Sequence, residues 1–256
     1  MEDITLNTVC NIQIDIRCNL KGSAPVTFIL SSGYSIEGFD EPIQVALIEL
    51  LERYGVKWVQ YIYPERNPKN SMEDLYISTG CYTLDEVYRW VKTQVKDSIG
   101  LFGISFGANI SLELALRATV ETLIIVNAVF DYVDFRTKQL GEDAISRWAK
   151  DLITKLPYQD KALPLGYRFI QEAMGQKLEE RAAGLGCRVH AFQGDADNII
   201  SPQHILRLAG VATNWYPHVV VGADHPFNTQ KAIDGFISTI QPIIKSLSRN
   251  NVQASM

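Results

Sequence analysis

Cysteine is scarce and scattered here: four residues among 256, at positions 10, 18, 81 and 187, with no CxxC pair. A chain of this length buries an adequate core without disulfide staples, and the spacing fits neither a zinc ribbon nor a redox dithiol. The four are expected to be reduced thiols of a cytoplasmic protein. No apolar run approaches the roughly 20 residues that span a bilayer. The opening residues, MEDITLNTVCNIQIDIR, alternate and are acidic, so no signal peptide is expected. Positive charge is also short: 24 Lys and Arg stand against 29 Asp and Glu, mixed along the chain, for a net charge of −5. Nucleic acid, which needs a basic stripe, is therefore not an expected partner. No internal repeat or low-complexity tract is present, which excludes repeat architectures.

What the sequence does hold is an alternation of short apolar runs and helical stripes. Residues 4–16 carry apolar side chains at several alternate positions, Lys21-Gly22-Ser23 reads as a turn, and residues 26–30 form a short buried strand. A β-hairpin feeding a central strand is expected. Ile43, Ala46, Leu47, Leu50 and Leu51 recur at helical spacing before Gly55, a helix stop. A strand follows at residues 57–63. Residues 64–81 read as an exposed loop, and Thr83 with Glu86 has the spacing of a capping box opening a helix whose stripe is Leu84, Val87, Val91 and Val95. Strands at residues 99–102 and 122–126 enclose a further helix over 108–118. This order predicts an α/β fold: a mostly parallel central sheet with helices on both faces.

About sixty residues separate the strand at 122–126 from the next at 188–192, far more than ordinary connections need. The expected organisation is one core domain, residues 1–130 and 187–256, interrupted by a small helical cap over 131–186. Helical patterns lie there at 144–156 and 167–174, with Trp148, Leu152, Ile153, Phe169 and Ile170 available for packing, and Trp148 is a candidate substrate contact. The last elements are a helix after Pro202, a strand at 218–221, and a helix over 229–247 followed by a polar tail.

Within this frame one pentapeptide carries chemistry. Gly103-Ile104-Ser105-Phe106-Gly107 stands between an expected strand and an expected helix. Glycines two residues either side of a serine allow the sharp turn that lifts its hydroxyl above a sheet edge. A serine hydroxyl is a weak nucleophile until a base takes its proton and donors stabilise the oxyanion that forms. Of four histidines only His225, in Gly222-Ala223-Asp224-His225-Pro226, sits in a loop just past an expected strand, so it is the candidate base. His190, His204 and His218 fall within strands or a helix and are expected to be structural.

The orienting acid should follow a strand between serine and histidine in a serine–acid–histidine chain order. The segment 193–202, QGDADNIISP, supplies Asp197, the preferred residue, and Asp195, the alternative. Phe106 would donate one oxyanion N–H from the start of its helix, and Tyr34, in Ser31-Ser32-Gly33-Tyr34, a second. The Tyr34 ring either lines the acyl pocket or packs the loop.

Taken together these residues resemble the α/β-hydrolase superfamily, in detail its serine-aminopeptidase-like hydrolases, including cinnamoyl and feruloyl esterases and acyl thioesterases. The likeness rests on Ser32-Gly33-Tyr34, on Met72-Glu73-Asp74-Leu75-Tyr76-Ile77-Ser78, on the turn at Ser105, on residues 194–202 and on Ala223-Asp224-His225. Ser32 stands where relatives often carry histidine, and Pro64-Glu65-Arg66-Asn67-Pro68 replaces a common Arg-Gly-x-Gly turn. The resemblance implies cleavage of a carboxylic ester or acyl thioester through an acyl-serine intermediate, with no metal or organic cofactor. Acyl transfer, an acyl carrier protein as donor, and a non-catalytic ligand-binding protein on the same fold stay open as alternatives.

Overall fold

The computed structural model describes residues 1–34, 38–66, 72–158, 161–198, 200–227 and 229–249. The polar tail from 250 onward and part of the 64–68 turn, Asn67 and Pro68, lie outside these residues.

Alternation at the N-terminus produces a hairpin, as expected: β1 (Glu2–Asn7) pairs antiparallel with β2 (Gln13–Asn19), which buries Ile14, Ile16 and Cys18 on one face. β3 (Val26–Ser31) is buried at all six positions, the mark of a strand covered on both faces. Helix α1 (Pro42–Arg53) starts on a proline whose missing N–H costs nothing there, and Gly55, at φ 65°, turns the chain into β4 (Lys57–Tyr61).

Helix α2 (Ile77–Gln94) begins seven residues earlier than the Thr83–Glu86 pattern indicates, with Tyr76 rather than Thr83 as its N-cap. Thr83 is an interior helix residue whose hydroxyl donates to the Thr79 carbonyl at 3.0 Å. The true start is closed locally by the Thr79 hydroxyl, which accepts the Tyr76 N–H at 2.9 Å, and from a distance by the Glu172 carboxylate, which accepts the Ser78 N–H at 2.8 Å and the Ser78 hydroxyl at 2.7 Å. An anion placed on the first turn satisfies an otherwise unpaired donor and suits the helix dipole. β5 (Ser98–Ile104), α3 (Phe106–Ala115) and β6 (Thr122–Val126) follow.

Residues 131–186 fold as α4 (Tyr132–Leu140), α5 (Glu142–Asp151), a two-stranded antiparallel hairpin of β7 (Ile153–Tyr158) and β8 (Lys161–Gly166), α6 (Arg168–Ala173) and α7 (Leu178–Ala182). The helix read over 144–156 therefore stops at 151. Leu152 takes a left-handed φ of 65°, and the β-branched pair Ile153 and Thr154 with Pro157 just beyond cannot extend a helix but can pair as a strand. The chain then completes β9 (Arg188–Gly194), α8 (Gln203–Val211), β10 (Trp215–Val220) and α9 (Gln230–Leu247), whose N-cap Thr229 accepts the Ala232 N–H.

The eight long strands form one sheet in the order β1-β2-β4-β3-β5-β6-β9-β10, parallel from β4 to β10. One face is covered by α1 and α9, through Leu47, Leu50, Leu51, Ile240 and Ile244 on Phe28, Phe102 and Phe192. The other lies under α2, α3 and α8 through Leu84, Val87, Ile110, Leu112 and Ile205. From β3 the chain moves to one neighbour, β4, and then crosses back to the other, β5. Such a reversal opens a crevice beyond the C-terminal strand ends. Among the described residues, no helix is long and apolar enough to cross a membrane.

Candidate active site

At the C-terminal end of β5 the backbone turns sharply into α3, and Ser105 occupies the turn at φ 50°, ψ −111°. This region is costly for a residue with a Cβ, on the order of 1–3 kcal/mol, and persists only where surroundings hold it. Here the Ser105 N–H donates to the Val126 carbonyl at 2.9 Å, and its carbonyl accepts from Ala108 at 3.1 Å. Both flanking glycines are required by space. A Cβ on Gly103 would lie 2.3 Å from the Gly107 carbonyl oxygen, and one on Gly107 would lie 2.2 Å from that of Ser31.

The structure brings Ser105 together with the two residues expected beside it. Ser105 Oγ is 3.0 Å from His225 Nε2, and His225 Nδ1 is 2.8 Å from Asp197 Oδ2. The Asp197 side chain is fully buried, whereas His225 is 19% exposed. Asp197 is also held by the Gln193 side-chain amide at 3.1 Å and the Ile200 N–H at 2.9 Å. A buried carboxylate with several donors keeps its charge and its direction. Asp195 is placed differently: it is exposed, and its Oδ1 accepts the Gly222 N–H at 2.6 Å within the neighbouring turn.

The loop after β3 reaches Ser105. A Cβ on Gly33 would stand 3.5 Å from Ser105 Cβ, so this loop passes directly beside the serine. Behind that loop the Gln44 amide donates to Ser32 Oγ at 3.2 Å and the Tyr63 hydroxyl to the Ser32 carbonyl at 3.1 Å. The serine that stands in place of histidine is thus a buried anchor. The Tyr34 hydroxyl donates to the Pro164 carbonyl of β8 at 2.6 Å, joining this loop to the 131–186 segment. Phe106 is the first residue of α3, so its N–H has no intrahelical acceptor.

Trp148 has its polar and ring partners within the 131–186 segment. It is buried within the 131–186 segment, its indole N–H donates to the Leu165 carbonyl at 3.0 Å, and its ring meets Tyr167 edge-on. Those contacts make it a packing residue, because its one polar atom and its faces are already used. His190 sits against His218 at 3.2 Å, and His204 against Glu179 at 3.0 Å, both remote from Ser105 in their partners.

Two residues escaped the sequence reading. Asn127, fully buried at φ 45°, donates its side-chain amide to the carbonyls of His225 at 2.6 Å and Asp224 at 3.0 Å, while its Oδ1 accepts the Gly194 N–H at 3.0 Å. It ties the histidine loop to β9. Its signal was an asparagine directly after an apolar strand, a residue that tolerates the left-handed region. Phe135 of α4 places its ring 5.3 Å from the His225 ring, closing one side of the site. A groove of about 590 Å³ between α4, α7 and α8, lined by Phe130, Met174 and Leu208 among others, holds none of Ser105, Asp197 and His225.

No sequence family model matches the chain, and no curated protein matches it in sequence. Solved structures do. The mouse α/β hydrolase domain-containing protein 10 superposes with a TM-score of 0.80 at 20% identity, over 97% of this chain and 100% of that one. Est1E from Butyrivibrio proteoclasticus, solved with ferulic acid bound, gives 0.75 at 15% identity over 95% and 96%. The α/β hydrolase GrgF from Penicillium sp. sh18 gives 0.72 at 13% identity over 96% and 98%.

Proposed function

Starting from a chain with the α/β-hydrolase fold, we propose that it is a serine hydrolase that cleaves a carboxylic ester or acyl thioester through an acyl-serine intermediate. The observation that carries this reading is the continuous hydrogen-bonded line from Ser105 Oγ through the His225 ring to the buried Asp197 carboxylate.

In this reading His225 Nε2 takes the hydroxyl proton as Ser105 Oγ attacks the acyl carbon, and Asp197 holds the ring and stabilises the imidazolium. The negative charge forming on the carbonyl oxygen is received by the Phe106 and Tyr34 amides, donors fixed before reaction and so requiring no reorganisation. When the tetrahedral adduct collapses, His225 returns the proton to the departing alkoxide or thiolate. Water, activated by the same imidazole, then attacks the acyl-serine, releases the carboxylic acid and restores the hydroxyl. Every atom is supplied by substrate, water and these side chains. Est1E, bound to ferulic acid, holds a carboxylic acid of the class such a reaction releases. No feature of the described residues points to an acyl carrier protein, and that partner is left out.

A fluorophosphonate probe tests the reading directly. The expected result is one adduct, mapped by peptide mass to Ser105 and lost in Ser105→Ala. Absence of an adduct on folded protein would overturn it. A panel of p-nitrophenyl esters from acetyl to palmitoyl, run beside matched acyl thioesters, then separates esterase from thioesterase.

A further inference from the structure

Helix α4 buries a positive charge that no acidic side chain among the described residues balances. Arg136 is 5% exposed, and among the described residues it makes no ion pair. One hydrogen bond is formed, from Nη1 to the Gln139 side chain, while Nε is buried with no partner. The guanidinium lies 4.9 Å above the Phe135 ring. One helical turn earlier Tyr132 repeats the pattern: its hydroxyl is fully buried and unpartnered. Residues four apart share a helix face, so the two orphaned donors stand together. Burial lowers the Arg136 pKa to about 10, still far above neutrality, and raises that of the Tyr132 phenol; both groups remain protonated donors.

Three relations set this pair beside the reaction site. Phe135, which Arg136 covers, faces the His225 ring at 5.3 Å. Tyr132 meets Phe169 edge-on at 4.8 Å, and Phe169 lies 5.8 Å from Phe106, the neighbour of the nucleophile. Tyr34, from the loop beside Ser105, is the other phenol close enough to act on the Arg136 charge.

An unpaired buried cation is unfavourable for folding, and an apolar side chain of similar volume generally serves the fold at least as well. Among the described residues none supplies a stabilising partner of opposite charge, which leaves that place to a ligand. The Nε–Nη2 edge of a guanidinium presents two parallel N–H groups that match the two oxygens of a carboxylate.

On the basis of the hydrolase reading, we propose that Arg136, assisted by the Tyr132 hydroxyl, binds a carboxylate carried by the substrate apart from its scissile carbonyl. The substrate class is then an anionic ester or thioester, such as a half-ester of a dicarboxylic acid. Arg136 is a specificity residue and takes no part in bond making.

The test compares mono-p-nitrophenyl glutarate with p-nitrophenyl pentanoate on wild type, Arg136→Met, Arg136→Lys and Tyr132→Phe. Wild type is expected to favour the glutarate ester in kcat/KM by at least about tenfold, the size of one hydrogen bond to a charged group. Arg136→Met should erase that preference, changing the pentanoate rate less than about threefold and leaving Tm unchanged or raised. Arg136→Lys should retain part of the preference, and Tyr132→Phe most of it. Equal wild-type rates on the two esters, or a parallel loss of both in Arg136→Met, would overturn the inference while leaving the hydrolase reading intact. Should wild type cleave neither ester and resist the fluorophosphonate, the hydrolase reading fails instead. Glutarate binding then decides this site: a Tm rise in wild type that Arg136→Met lacks supports it, and no rise refutes it.

Discussion

The Asn127 side-chain amide donates to the His225 main-chain carbonyl across 2.6 Å, joining the end of β6 to the loop that holds the imidazole. Its carbonyl oxygen at the same time accepts from Gly194 on β9, so one side chain fixes the spacing of two strands' loops. Replacement by alanine takes away the partner of the His225 carbonyl and of the buried Gly194 N–H, while the Asp224 carbonyl keeps the Phe227 N–H at 3.3 Å, and in a left-handed backbone a stability loss of about 2–4 kcal/mol is expected. Asn127→Gly removes the same bonds but relieves the φ of 45°, so it should fall short of that loss by about 1 kcal/mol. Urea midpoints order the two variants, and both should lose turnover as the imidazole drifts.

The two aspartates of the 193–202 segment should separate cleanly. Asp197→Asn removes the acceptor of the His225 Nδ1 proton, and in serine triads such a change costs around 10⁴-fold in kcat. Asp195→Asn, at an exposed turn, should leave kcat within about threefold. Hydrolysis rates for the pair settle the assignment; a crippled Asp195→Asn would reverse it.

Space around the nucleophile predicts a second contrast. Gly107→Ala forces a methyl to 2.2 Å from the Ser31 oxygen, a backbone atom that cannot yield, and a loss of about 3 kcal/mol or more is expected. A methyl on Gly33 would meet its neighbours at 3.5 Å, ordinary contact, so Gly33→Ala should melt within a few degrees of wild type. Thermal denaturation of both variants checks the difference.

Acid should weaken the fold through the far edge of the sheet. Burial first, then the adjacent His218 and Arg188, hold His190 well below its usual 6.5, down to about 4. Between these values the unfolded chain binds the proton that the folded chain refuses. Stability therefore falls as pH drops from about 6.5 and levels off below about 4, with a slope of at most about 1.4 kcal/mol per pH unit from this group. His190→Phe should flatten that part of a Tm–pH curve. An unchanged slope would show that other groups dominate.

Reading the sequence locates the elements whose evidence is local. Residues 123–126 form an unbroken apolar run between Thr122 and Asn127, and β6 occupies 122–126. The serine turn is legible because glycine spacing, a strand before and a helix after all coincide within twenty residues. What fails is what distant partners decide. The first turn of α2 is closed by Thr79, whose hydroxyl accepts the Tyr76 N–H, and by Glu172, 94 residues further along, which no local pattern reveals. The hairpin of β7 and β8 hides behind a helical stripe, Ile145, Trp148 and Leu152, which runs one residue past the true helix end. Asn127 and Arg136 carry no motif; only burial without, or with, polar partners singles them out.

The site draws on the ends of five strands: β3 for the Tyr34 loop, β5 for Ser105, β6 for Asn127, β9 for Asp197 and β10 for His225. Ser105 and His225 are 120 residues apart in sequence yet share a hydrogen bond. Parallel pairing of strands so separated is slow, because each must close a long loop before any contact repays it. A fragment that lacks any one of these strands is accordingly expected to lack the complete candidate site. During refolding, secondary structure and collapse can recover early, but chemistry can return only when the last strand has joined the sheet.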